Sequence, residues 1–344
     1  MNIKIQPLLL ALALAASAFA QQTNTQIRPL DHWPDTDGNH IQAHGGGIVR
    51  LDDTYYWYGE ERRHGVEEDS LYRYVSCYSS QDLMNWKFEG DVIKLSKPEP
   101  FLSDNCPDRA WVLERPKVYY NARNRQYVMY MHLDGPRRGA THGYHFASVG
   151  VATSSSPTGP FVFQRAFRPL GKESRDIGQF IDDDGTAYLI FECRPDGGFY
   201  IARLSDDYLD VAEETCFIQN RLEGGAIVHY DGLYYCLGSA LTGWKPNPNK
   251  YATATSLKGP WSEFRDVAPN ETNTYTSQSS MLVKVVGERG TTVIFTGDQW
   301  HPSEQWESRY LWMPLQIGEG RMWLPKPQPW SIDVRMGTYE ILPE

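Results

Sequence analysis

Five stretches of the 344-residue chain share one pattern of polar and apolar positions: a polar side chain, a short apolar run, a turn, and a returning run rich in Tyr or β-branched residues. They begin at His44 (HGGGIVRLDDTYYWYGE), Glu114 (ERPKVYYNARNRQYVMYMH), Asp176 (DIGQFIDDDGTAYLIFE), Glu223 (EGGAIVHYDGLYYCLGS) and Gln278 (QSSMLVKVVGERGTTVIFTGD). Apolar runs of this length joined by turns such as Asp184-Gly185 or Asp231-Gly232 read as β-hairpins. The starts lie 70, 62, 47 and 55 residues apart, a spacing that suits four-stranded units repeated around an axis. Second hairpins follow in the expected places, as VSCYSSQDLMNWKFEGDVI, VGVATSSSPTGPFVFQRAF, FYIARLSDDYLDVAEET and YATATSLKGPWSEFRDV. Helix-period patterns are nearly absent, and 22 Pro with 29 Gly supply the turns an all-β chain needs. The pattern predicts an all-β protein, a five-bladed β-propeller forming a single domain over residues 21–344. The segment after Trp312 should complete the last blade with its outer strands.

Within that frame Trp57 and Tyr58 read as core, and Asp182-Asp183-Asp184-Gly185 as a hairpin turn, since no Glu stands where a calcium loop would need one. The charged or Gly-rich insertions at 60–70 and 134–145 should rim one face. Residues 1–20, with Lys4, an apolar run from Leu8 to Ala16 and Ala18-Phe19-Ala20, read as a secretory leader. No other run is long and apolar enough for a membrane anchor, so the expectation is an exported protein, periplasmic or extracellular, acting as a monomer. Five cysteines in an oxidising compartment allow two disulfides at most, and a Cys193 bridge to Cys216 or Cys236 is conceivable; buried small hydrophobes are the plainer reading.

A net charge of −10 removes electrostatic attraction to nucleic acid or anionic membranes and leaves a neutral partner such as an oligo- or polysaccharide. No metal spacing occurs among the nine His, and no cofactor is expected. If each blade's first strand lines the axis, Glu114, Asp176, Glu223 and Gln278 converge at one end. Crowded carboxylates cannot all ionise cheaply, so at least one should hold a proton near neutrality. That is what the acid of a glycosidase requires. Trp111, Trp244 and Trp300 stand near strand starts, where they could stack on a sugar. Taken singly, a strand-initial Glu is more often solvated or structural, and propellers often bind ligands without transforming them.

The phrase RDIGQFIDDDGTAYLIF resembles the Asp motif of glycoside hydrolase family 43. AHGGGI with YYWYGE, ERPKVYYN, TGWKPNP, TSQS and SRYLWMPL resemble the branch that contains exo-β-1,3-galactanases, in the same order over nearly the whole chain. The resemblance implies Glu223 as general acid, Asp176 as the neighbour that tunes it, and Glu114 as a ligand of sugar hydroxyls. Most of the family starts blade one with an Asp base, where this chain has Gln42-Ala43-His44-Gly45. Gln278 is then implied as the group holding the water, either through an imidic tautomer or by positioning alone, with inversion and a separation of roughly 6.5–9.5 Å from the acid. His44 and Gln299 join the expected sugar contacts. Two departures bear on specificity: Gly224-Gly225 after the acid where the branch has Ala-Pro, and Gln299 in GDQW where it has Arg. The implied activity is exo-release of galactose from β-1,3-galactan. An α-L-arabinofuranosidase and a non-hydrolytic carbohydrate-binding propeller are the alternatives.

Overall fold

The inner strand of a propeller blade is covered on both faces by its neighbours, so it must be buried nearly throughout. The computed structural model, which describes residues 23–62 and 71–343, shows this in each repeat. Blade one contains β1 (His44–Leu51), β2 (Thr54–Glu61), β3 (Tyr72–Ser80) and β4 (Lys87–Ser96). Blade two contains β5 (Val112–Asn121), β6 (Gln126–Asp134), β7 (Ser148–Ser154) and β8 (Val162–Phe167). Blade three follows with β9 (Ile177–Ile181), β10 (Ala187–Cys193), β11 (Gly198–Leu204) and β12 (Val211–Ile218), and blade four with β13 (Leu222–Tyr230), β14 (Leu233–Ala240), β15 (Lys250–Ala254) and β16 (Arg265–Asp266). Every neighbour pair within these blades is antiparallel. Burial is continuous from His44 to Val49 in β1 and from Leu222 to Val228 in β13, while the outer strand β8 is open to solvent.

Blade five departs from the expectation. It has three strands, β17 (Gln278–Val286), β18 (Thr291–Gln299) and β19 (Arg309–Pro314). The segment after Trp312 forms two separate hairpins instead, β20 (Gln316–Gly318) with β21 (Arg321–Trp323) and β22 (Trp330–Asp333) with β23 (Thr338–Ile341). The N-terminal segment takes up the vacant edge: Leu30 N donates to Tyr310 O at 2.8 Å, and Ile27 pairs antiparallel with Trp330. Pro325, Pro327 and Pro329 in the linking segment remove the amide donors that a fourth ladder strand would need.

Ring closure between blades one and five is aromatic. Trp57 packs on Trp312 (centroids 4.7 Å), Tyr310 (4.9 Å) and Trp86 (5.3 Å), and Trp33 of the N-terminal segment packs edge-on against Trp312 (5.1 Å). Trp57 and Tyr58 are therefore core, as expected. All five cysteines are free, so the conceivable Cys193 bridges are not formed. Residues 182–186 make the expected turn, with Gly185 N donating to Asp182 O at 2.9 Å. The leader at 1–20 and most of the 60–70 insertion lie outside the described residues. No helix among the described residues is long and apolar enough to cross a membrane.

Trp312→Ala should lower unfolding free energy by about 3–5 kcal/mol, because the void opens where three elements meet. Chemical denaturation followed by tryptophan fluorescence measures this; a loss below 1 kcal/mol would mean that the closure is held elsewhere.

Candidate active site

A plain strand alternates its side chains, but four of the inner strands break that alternation at their start. After the pair His44 with Glu60, the next pair in β1–β2 is Gly47 with Tyr58, so two residues face one. The same slip follows Glu114 in β5, Glu223 in β13 and Ser279 in β17. These are β-bulges, which re-aim a side chain without disturbing the strand beyond. In three of them the next residue is left-handed: Gly45 (φ +57°), Arg115 (φ +50°) and Gly224 (φ +62°). Gly224 thus suits the backbone turn beside Glu223, which explains one sequence departure. Arg115 adopts the same turn with a side chain, a strain of about 1 kcal/mol.

The side chain of Arg115 joins three blades. Its Nε lies 2.7 Å from Asp176 Oδ2, one Nη donates to Gln278 Oε1 at 2.7 Å, and the other donates to Ser279 O at 3.0 Å. Its backbone N donates to Glu60 Oε1 at 2.9 Å. Asp176 also accepts from Gly224 N at 3.1 Å, which ties it to the residue after Glu223.

Glu223 and Gln278 touch. Gln278 Nε2 donates to Glu223 Oε1 at 3.0 Å and to Ser239 Oγ at 3.1 Å, while Oε1 accepts from Arg115 and from Trp300 Nε1 at 2.8 Å. Arg and Trp can only donate, so this network fixes the orientation of the amide and keeps it in its ordinary keto form. The expected separation of acid and water-holding group is not present in the free protein; a direct hydrogen bond stands in its place. Burial pushes the Glu223 carboxyl up to about 8, helped by the negative charges of Asp176 and Glu192 and opposed by Arg115 and Arg194. Glu60 is likewise pushed up to about 7, by burial first, with Arg62 opposing and Glu114 adding to the rise.

Glu114 is held the other way. Burial would raise it, but His132 Nδ1 at 3.1 Å, Arg62 and the Tyr144 hydroxyl at 3.1 Å together bring it below the usual range. His132 is in turn clamped by Asp134 through Nε2 at 3.2 Å; burial favours its neutral form, yet the two carboxylates win and lift it to about 10. Glu114, His132 and Asp176 bring ligand-type atoms within 4.8 Å of one another. With both His132 nitrogens bonded to carboxylates, the imidazole has no lone pair to give a metal, and Arg115 already bonds Asp176. The second such group, Asp182, Asp183 and His229, lies at the far end of the inner strands, where Lys284 Nζ already bonds Asp183 at 2.8 Å.

Glu60, Glu114, Arg115, Asp176, Glu223 and Gln278 line one cavity of about 350 Å³. Of the residues singled out from sequence, Glu223, Asp176, Gln278, Glu114, Trp244 and Trp300 line it. Three do not. His44 is fully buried behind the wall, stacked on Tyr310 at 4.9 Å with Nδ1 3.4 Å from Asp298; Trp111 is fully buried in the blade-two core. Gln299 lines a neighbouring surface depression and donates to Thr276 Oγ1 at 2.6 Å. Sequence position near a strand start does not fix depth, and the bulge at Gly45–Gly46 leaves His44 facing the blade-five core.

Sequence reasoning passed over Glu60, Arg62, Arg115, His132, Tyr144, Arg175 and Arg194, all of which line the cavity. A signal existed for two of them. Each repeat ends its second strand with a polar residue, Glu60, His132, Glu192, Ser239 or Asp298, and four of these pair in register with His44, Glu114, Glu223 and Gln278.

The family of glycosyl hydrolases family 43 matches residues 43–301. No curated protein matches the chain. Among solved structures, the exo-β-1,3-galactanase from Phanerochaete chrysosporium with β-1,3-galactotriose is 39% identical, with 93% of this chain and 71% of that chain covered and a TM-score of 0.81. An exo-β-1,3-galactanase from Clostridium thermocellum is 33% identical, with 93% and 69% covered and a TM-score of 0.82.

A titration of ¹³C-labelled glutamate should show one carboxyl changing charge near pH 8. Replacing Asp176 by Asn removes a negative neighbour and should move that carboxyl down; an upward or absent shift would contradict the described electrostatics.

Proposed function

The chain belongs to glycosyl hydrolases family 43, and from that footing we propose that it is an exo-acting glycosidase that releases terminal galactose from β-1,3-linked galactan, with inversion. The observation that carries the reading is the cavity itself, in which a carboxyl held protonated near neutrality sits against a fixed amide, within a chain 39% identical to a galactanase solved with β-1,3-galactotriose.

Glu223 serves as general acid. Its proton goes to the glycosidic oxygen as the C1–O bond breaks with both electrons passing to that oxygen, while a water oxygen bonds C1 and then releases a proton to solvent. Asp176 keeps Glu223 protonated by its charge, and Glu114, held ionised, accepts hydrogen bonds from sugar hydroxyls beside Tyr144. In the free protein both N–H groups and both lone pairs of the Gln278 amide are taken, so it orients the water once bound sugar displaces its hydrogen bond to Glu223. Two donors on its oxygen oppose the imidic tautomer, so positioning alone is the mechanism we favour, and an amide next to the acid cannot form a glycosyl ester. Trp244 and Trp300 supply apolar faces for sugar rings. We place the enzyme outside the cytoplasm, exported by the leader at 1–20 and acting as a monomer within one propeller domain.

On β-1,3-galactan the purified protein should yield galactose alone; free arabinose from arabinofuranosides would favour the alternative, and saturable binding without product would make it a binding protein. Glu223→Gln should lose on the order of 10² to 10⁴ in rate on galactobiose while still binding sugar, and Gln278→Ala should lose a similar amount. The acid must be protonated to act, so kcat/KM should fall as pH rises through about 8; a profile flat to pH 9.5 would remove Glu223 from that role.

A further inference from the structure

Four guanidinium groups line the cavity, and that of Arg194 differs from the rest. Its side chain is 44% exposed, against 20% or less for Arg62, Arg115 and Arg175. It leaves the end of β10 and reaches back to the cavity. Nε donates to Glu192 Oε1 at 2.8 Å, and one Nη reaches Glu223 Oε2 at 3.4 Å. The short contact is an anchor and the long one a cap.

Which oxygen of Glu223 can deliver a proton follows from its neighbours. Oε1 receives Gln278 Nε2, a donor that is itself locked by Ser239, Arg115 and Trp300. Oε2 is therefore the oxygen that must carry the proton and face the glycosidic oxygen. Arg194 occupies that side. A guanidinium only donates, so on Oε2 it favours the carboxylate, the state in which the group cannot act as an acid. The remaining charges around Glu223 are Asp176 at the start of blade three, Glu192 on β10 and Arg115 on β5, with neutral Ser239 and Gln278 completing the shell. Asp176 and Arg115 are bound to each other at 2.7 Å. Of the two cations, Arg194 alone can withdraw without breaking the framework, since Glu192 retains it.

We propose that Arg194 is a substrate-displaced latch on Glu223. In the empty site it caps Oε2. When the leaving-group sugar arrives beside Oε2, the guanidinium swings off, stays on Glu192 and turns its free N–H groups to the sugar hydroxyls. Glu223 then holds its proton more firmly once the position it must protonate is filled. Arg194 is thus a positioning residue for the leaving-group side of the site. This rests on Glu223 being the acid.

The test compares two pH profiles of the full-length enzyme on β-1,3-galactobiose, since kcat/KM reports the free enzyme and kcat the bound complex. Arg194→Met keeps the aliphatic stem and removes the charge. Its basic limb in kcat/KM should move up by about 0.5–1 pH unit, whereas the basic limb in kcat should stay where it is, and Arg194→Lys should restore the original kcat/KM profile. Arg194→Gln offers the same comparison if the Met variant fails to fold. Limbs that move together would show that Arg194 faces Glu223 in the complex too, and limbs that both stay put would show that it never held the acid; either overturns the latch. A Glu223→Gln enzyme that stays active on galactobiose would instead defeat the acid assignment, and the latch with it.

Discussion

The guanidinium of Arg115 is the constraint on which the site depends. It is buried at the axis, bonded to Asp176 of blade three, Gln278 and Ser279 of blade five, and joined through its backbone to Glu60 of blade one. A buried charge is costly unless every proton is matched, so the arrangement holds only when the blades stand in the right mutual positions. The left-handed backbone at Arg115 shows the same economy: a local strain of about 1 kcal/mol is tolerated because the contacts on all sides exceed it.

Around that cation the carboxylates take opposite states for physical reasons that can be named. Glu114 is surrounded by donors, a doubly clamped imidazolium, a guanidinium and a phenol, and stays ionised. Glu223 is buried with two carboxylates nearby and holds its proton. Two residues of one type thereby acquire different chemistry from position alone, as an acid-catalysed hydrolase requires. The Gln278 amide completes the set without adding a charge that would disturb either.

How much of this was legible in the sequence depends on what the repeat encodes. The repeated hairpin gave the propeller, and its polar first residue gave Glu114, Asp176, Glu223 and Gln278, because at the open end of an inner strand a polar group can face a ligand, whereas deeper ones such as Lys117 and Gln179 are matched by backbone carbonyls. The same rule misplaced His44, since a bulge and the partner Asp298 turn the ring into the wall. It also drew Trp111 toward the site, where proximity along the chain concealed a fully buried core position. Arg115 stood beside Glu114 in full view, but its importance comes from contacts 61 and 163 residues away, which no local pattern records. Blade five differed for a similar reason: the apolar run after Trp312 reads as strand, while the edge it would fill is taken by residues near the other end of the chain.

The bulges at the inner-strand starts have one further consequence. In an unbroken strand, the face on which a residue appears is tied to every other residue by strict alternation, so a change at the tip is felt along the whole core. The extra residue after Glu114 and Glu223 resets that phase. The tip then behaves as a separately addressable socket on a fixed shaft. Chemistry at the axis can be exchanged, carboxylate for amide or amide for imidazole, while the packing code beneath stays the same, and four such sockets make the propeller a scaffold on which specificity can drift without refolding the core.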